Sequence, residues 1–299
     1  MIQISNLTKF YGRRKALDDI SLSIEQGEIF GLVGPDSAGK TSMIRILAGL
    51  LTPSSGQVTV LGASDLESIK ESIGYVPQKF SLYGDLTVME NIRLMGSLYG
   101  QNEQSIMQRA TETLGFTDLL PFKDRLTEQL SGGMKQKLAL AAGLMHQPKI
   151  FFLDEPTAGV DPVSRREFWQ ILFQINRAGT TVFVSTSYMD EAELCNRIAF
   201  LHHGRIVACD APDRLKENYP YKVLEMAVTT RGVKKYLTQC GLIDINAFGD
   251  KYHLIVKNIS QSSKLVNDCL LSAGIPIVSL TEVAPSLEDV FVAMAGEVK

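Results

Sequence analysis

The period of the apolar positions changes several times along the chain, and each change predicts an element. Ile2 to Ile4 alternates apolar and polar residues, the pattern of an edge strand; Ala16 to Ile24 repeats it and stops at a Gln26-Gly27 turn. Glu28-Ile29-Phe30-Gly31-Leu32-Val33 is a compact apolar strand that runs into the glycine-rich stretch Gly34 to Gly39. After Lys40, the residues Met43, Ile44, Ile46, Leu47 and Leu50 fall at helical spacing, and Thr52-Pro53-Ser54-Ser55-Gly56 ends that helix. Gln57 to Leu61 reads as another strand. From about Leu86 to Leu130 the pattern is helical and more polar, which predicts a helical insertion. Ile150 to Asp154 and Thr181 to Ser185 are β-branched or aromatic runs that suit buried parallel strands.

Strands alternating with helices imply an α/β sheet whose chemistry lies at the strand ends. The pattern shifts near Asn218-Tyr219-Pro220. Beyond it the chain reads as strand (222–228), helix (232–240), strand (252–257), helix (262–273), strand (277–283) and helix (286–295). That is a small α+β unit with ferredoxin-like character. The predicted domains are therefore 1–218, with a helical subdomain at about 86–145, and 219–299.

Composition narrows the classes. The chain has 299 residues, enough for one large domain and a small one or for two medium ones, and 45% of them are hydrophobic, too many for a disordered chain. A net charge of −3, with eight basic and eight acidic residues from Pro220 onward, argues against nucleic-acid binding. Cys195, Cys209, Cys240 and Cys269 form no C-x-x-C pair, so neither a disulfide framework nor a zinc site is expected. No apolar run approaches the roughly 18 residues of a membrane span, and Met1 to Ser5 does not resemble a signal peptide. A membrane role would run through another polypeptide.

Gly34-Pro35-Asp36-Ser37-Ala38-Gly39-Lys40-Thr41 fits G-x-x-x-x-G-K-[ST], with a strand before it and a helix after it. In that setting successive backbone N–H groups surround a phosphate, and the helix N-terminus adds partial positive charge. Lys40 supplies a cation to the β- and γ-phosphates, and Thr41, followed by Ser42, supplies a hydroxyl for Mg²⁺. Leu153-Asp154-Glu155-Pro156 ends a buried strand in two acids. Asp154 is placed to hold the metal, and Glu155 to polarise an attacking water. In Leu130-Ser131-Gly132-Gly133-Met134-Lys135-Gln136, Ser131 is a helix N-cap and two glycines leave N–H groups bare. Taken alone this is a well-capped helix. If it takes an anion, the natural one is the γ-phosphate of ATP on a second subunit.

In this order and spacing, the glycine-rich loop, Leu130 to Gln136 and Phe151 to Pro156 resemble the ABC transporter ATPase family over about residues 1–215. The resemblance implies a P-loop NTPase with a RecA-like core, an antiparallel β subdomain and a helical subdomain. It also implies a head-to-tail dimer that sandwiches two ATP molecules, each between one P-loop and the partner's Ser131, Gly132, Gly133 and Gln136. Tyr11 then stacks on adenine; packing against the core is the other reading. Gln78 matches the glutamine that joins the metal site to the helical insertion. Asp161 matches the residue that touches the opposite site and is also a helix N-cap ahead of Pro162.

Two positions depart from the family pattern. Ser37 stands where glycine is usual, a mild obstacle if the loop needs positive φ. Ser187 stands where a histidine should orient water near the γ-phosphate, which predicts weaker hydrolysis with binding retained. The tail Ser279 to Phe291 is similar to bacterial drug-export ATPases. That likeness implies an ABC-2-type permease as partner, a second ATPase subunit in a homo- or heterodimer, and a place on the cytoplasmic face of the inner or plasma membrane. The alternatives are a non-transport ABC ATPase and a degenerate regulatory subunit with slow hydrolysis.

Overall fold

All residues of Ile29–Val33, Ile150–Asp154 and Thr181–Thr186 are buried, so these runs have no polar face to give to water and pair in parallel with one another. In the computed structural model, which describes residues 1–230 and 232–296, the chain begins β1 (Ile2–Tyr11), β2 (Arg14–Ile24), β3 (Ile29–Val33), α1 (Lys40–Leu47), β4 (Ser55–Val60), β5 (Ile73–Val76). Three helices follow, α2 (Val88–Leu98), α3 (Glu103–Phe116) and α4 (Gly132–Leu144). The chain then returns through β6 (Ile150–Asp154), α5 (Pro162–Arg177), β7 (Thr181–Thr186), α6 (Met189–Ala192), β8 (Arg197–His202) and β9 (Arg205–Asp210).

The main sheet runs β5-β6-β7-β3-β8-β9, so the loop after β3 opens beside the ends of β6 and β7. The register sets Asp154 opposite Ser185 and Leu153 opposite Val184. A second sheet, β2-β1-β4, is antiparallel. Its centre is β1, which overturns the edge-strand expectation for Ile2 to Ile4. Gln3 pairs with Ser23 on one side and Thr59 on the other, and alternation of side chains cannot report pairing on both sides. One core joins this sheet to α1 and the main sheet through Leu7, Leu17, Ile24, Phe30, Ile44, Phe152 and Phe183.

The helical insertion has its own core, built from Val88, Ile92, Ile106, Leu114, Leu138 and Met145. Helix α2 starts with a capping box in which Thr87 and Glu90 satisfy each other's backbone N–H, worth about 1 kcal/mol. Buried Asn91 donates to the Tyr83 carbonyl at 2.9 Å and to Thr127 Oγ1 at 3.0 Å, closing the loops around the insertion.

Packing divides the chain between Cys209 and Asp210, ahead of the 218/219 boundary read from the sequence, because the next helix packs against the last. The second unit holds α7 (Pro212–Glu217), β10 (Lys222–Val228), α8 (Lys234–Leu237), β11 (Asp244–Phe248), β12 (Lys251–Val256), α9 (Ile259–Ser272), β13 (Ile277–Val283) and α10 (Leu287–Gly296). Its antiparallel sheet has the order β11-β12-β10-β13, the split β-α-β arrangement. Strand β11 was not foreseen, and the helix expected over 232–240 is only α8.

Candidate functional site

The loop between β3 and α1 is fixed at both ends. Gly34 N–H donates to the Thr186 carbonyl at 3.2 Å, and Gly204 N–H to the Ala38 carbonyl at 3.0 Å. Pro35 and Ala38 close a turn at 3.2 Å with Asp36 at the exposed tip. A Cβ on Gly34 would collide with the Leu201 carbonyl, and Gly39 has φ 118°, so both positions need glycine. Ser37 adopts φ 64°, so the obstacle expected there is real and costs roughly 1–2 kcal/mol. Helix α1 begins with no side-chain cap and no acid in its first turn, which leaves its leading N–H groups to an external acceptor.

Tyr11, Arg14, Ala16, Ser37, Gly39, Lys40, Thr41, Ser42 and Glu155 line a cavity of about 270 Å³ above this loop. Lys40 is 4% exposed; its Nζ lies 2.9 Å from Glu155 Oε1 and donates to the carbonyls of Gly34 at 2.5 Å and Pro35 at 3.0 Å. Gln78 Nε2 donates to the other Glu155 oxygen at 2.8 Å. Glu155 has φ 47°, so the chain reverses immediately after β6 and adjacent acids take different directions.

Asp154 is 1% exposed. Its Oδ1 accepts from Ser185 Oγ at 2.9 Å and Thr41 Oγ1 at 3.2 Å, while buried Oδ2 has no hydrogen-bond partner. Burial pushes its carboxyl above the ordinary aspartate range, against those two hydrogen bonds; the Glu155 charge adds to the rise and Arg45 opposes it. An orphaned carboxylate oxygen beside a hydroxyl fits an oxygen-liganded cation such as Mg²⁺. Among the described residues there is no cluster of three or more His, Cys, Asp or Glu, so the ligands besides Asp154 would be neutral side-chain oxygens such as those of Thr41 and Gln78, phosphate and water.

The other expected residues stand outside this cavity's lining. Ser131 caps α4 through Met134 N–H at 3.3 Å; Gly132 is exposed, and Gly133 packs so closely on Ser164 that a Cβ would meet it at 2.6 Å. Gln136 Oε1 is buried with no hydrogen-bond partner. Asp161 caps α5, accepting from Val163 and Ser164 N–H at 3.1 and 3.0 Å; these bonds hold its carboxyl below the usual range, Ser164 foremost. Ser187 is exposed just past β7. Sequence reasoning missed Arg14, whose Nη2 donates to the Ser37 carbonyl at 3.3 Å, and Ser185, whose hydroxyl also accepts from Glu155 N–H at 3.0 Å. The basic run after Tyr11 was a signal for the first; the second depends on strand register.

A family model described as ABC transporter matches residues 17–158. The linearmycin resistance ATP-binding protein of Bacillus subtilis (strain 168) is 32% identical over 311 residues, covering 99% of this chain and 98% of that protein. The chain belongs to the ABC transporter ATP-binding family. A second model, for the C-terminal domain of DrrA1-3-like ATP-binding proteins, matches residues 211–295 of this ABC protein. The probable multidrug ABC transporter ATP-binding protein YbhF of Escherichia coli (strain K12) is 38% identical over 301 residues, 99% of this chain; the chain spans 52% of that relative's length. A dimeric ATP-binding cassette solved in a post-hydrolysis state with ADP and Pi superposes with TM-score 0.66 at 31% identity, over 71% of this chain and 98% of that one. Among the described residues of this ABC protein, no helix is long and apolar enough to cross a membrane.

Proposed function

We propose that this chain binds and hydrolyses ATP as the motor subunit of an exporter, energising a separate ABC-2-type permease from the cytoplasmic face of the membrane. The observation that carries the reading is the meeting of Lys40, Thr41 and Glu155 at one cavity, with Asp154 bonded to Thr41 behind it. The names of relatives, such as the linearmycin resistance and bacitracin transport ATP-binding proteins, support the export direction and a membrane partner. The first unit is the cassette, and the second an accessory unit.

The resting contacts suggest how the residues work. Lys40 exchanges the Glu155 carboxylate for the β- and γ-phosphates, and the free backbone N–H groups between Asp36 and Ser42 surround them. Glu155, released, accepts a proton from the attacking water. Thr41 and Asp154, with Gln78, would hold Mg²⁺, which would supply positive charge to the phosphate oxygens. Gln78 ties Glu155 to the segment leading into the helical insertion, so occupancy of the site is felt there. Tyr11, 48% exposed, stacks on adenine. Ser131, Gly132, Gly133 and Gln136 serve the ATP of a second cassette, homologous or identical, and Asp161 faces that same seam.

Magnesium-dependent ATP hydrolysis by the purified chain, alone and with its permease, tests the reading. Turnover that the permease stimulates is expected; a chain that neither binds ATP nor pairs when Glu155→Gln is given ATP and magnesium would sink it. Ser187 favours a second reading, a slow cassette that completes a faster partner's site. Mixing with a histidine-bearing cassette separates the two, because only the second reading requires turnover to appear in the mixture alone.

A further inference from the structure

Past the ends of β6 and β7, one side chain joins the two departing loops. Glu191 in α6 is 1% exposed, and its carboxylate accepts from Thr157 Oγ1 at 2.5 Å on one oxygen and from Thr186 Oγ1 at 2.6 Å on the other. Arg165 Nε lies 3.5 Å from the first oxygen. A carboxylate so deep is costly to desolvate, and an apolar side chain would fill the space at lower cost. The charge is accounted for by what it holds.

The three partners come from the segments that carry the reaction's groups. Thr157 lies two residues after Glu155, and its carbonyl takes Val160 N–H at 3.1 Å, immediately before Asp161. Thr186 precedes Ser187, and its hydroxyl also accepts Tyr188 N–H at 3.0 Å, so the bond encloses residue 187. Arg165 sits on α5 one turn beyond Asp161, with its guanidinium 4.0 Å above the Tyr188 ring and Nη1 3.3 Å from Asp190. Charge-assisted bonds of this kind are short and directional, so they transmit position well.

We infer that Glu191 is a positioning residue that fastens the 155–161 loop to the 186–188 loop, so that the water-polarising group, the seam residue and position 187 move together. The inference rests on the proposed roles of Glu155, Asp161 and Ser187. It leaves the nucleotide-binding groups untouched.

The test uses the full chain. Glu191→Gln keeps the size and part of the hydrogen bonding but removes the charge. It is expected to lower kcat about tenfold while KM and ATP affinity change less than about twofold. Thr157→Val and Thr186→Val avoid an unpaired buried Arg165. In peptide-level hydrogen exchange, Thr157→Val is expected to speed exchange across 186–190, and Thr186→Val across 157–161, each about tenfold. Wild-type kinetics in Glu191→Gln, or valine variants that each loosen only their own loop, would overturn the inference. The exchange arm needs no turnover, so a chain unable to hydrolyse ATP would defeat the proposed function and leave this arm to be decided by its own result.

Discussion

Strands β6 and β7 lie side by side, in parallel and in register, yet they end very differently. β6 ends in two acids, both engaged: Asp154 by Thr41 and Ser185, Glu155 by Lys40 and Gln78. β7 ends in Ser185 and Thr186, whose hydroxyls serve other segments, and then in exposed Ser187. The β6 end is built for charge, while the β7 end is built to hold the β6 end in place. In the proposed mechanism the chemistry therefore leans on one strand terminus more than the resemblance to the family implies.

The hardest way to break this asymmetry is Glu155→Gln. Removing a positioned proton acceptor should cost about a thousandfold in turnover. The same change frees Lys40 from its charged partner. In the proposed mechanism that pairing gives way to the phosphates, so ATP should bind severalfold tighter, a shift of about 1 kcal/mol, read by equilibrium binding of a labelled nucleotide. Hydrolysis close to wild type would show that the β6 terminus does not carry the chemistry.

Ser187→His asks whether the β7 end can be brought up to the same standard. Imidazole reaches farther than a hydroxyl and can share a proton, so turnover should rise about tenfold with ATP affinity unchanged. The measurement needs both a homodimer and any mixed dimer, and no rise in either would mean that position 187 is not limiting. Ser185→Ala tests the supporting role of β7 directly. It removes a donor to buried Asp154 and an acceptor for Glu155 N–H, although that N–H keeps the Ser185 carbonyl at 3.2 Å. A stability loss of about 1 kcal/mol is expected in urea unfolding. A neutral result would show that Thr41 alone holds Asp154.

What could be read from the sequence follows the same division. The β3–P-loop–α1 run and the β6 terminus are each a continuous stretch of chain, and their apolar runs and glycine spacing are local signals, so they were legible. The roles of Ser185 and Arg14 were not. Ser185 serves Asp154 only because the β6–β7 register sets them opposite, and Arg14 meets Ser37 across 23 positions of chain. The central place of β1 and the existence of β11 were hidden for a related reason: pairing partners come from distant segments, and Asp244-Ile245-Asn246 has little apolar signal of its own. Glu191 looks like one more acid in an acidic turn until its two threonines are located.

Ser37→Gly is the smallest test and separates the chain's two departures from the family pattern. The left-handed backbone at Ser37 costs roughly 1–2 kcal/mol with a Cβ present, and glycine removes that cost. Glycine also gives the unfolded chain more freedom, which opposes the gain and leaves a few tenths of a kcal/mol. The contact from Arg14 is to the Ser37 carbonyl, which glycine retains. ATP affinity should therefore change less than about threefold, and turnover hardly at all, by titration and steady-state assay. Ser37 is a matter of backbone strain already absorbed by the fold, whereas the deficit proposed for Ser187 is one of reach and proton affinity. If Ser37→Gly raised turnover more than Ser187→His did, the weak point would be the phosphate loop after β3, and the contrast between the two strand ends would lose its functional meaning.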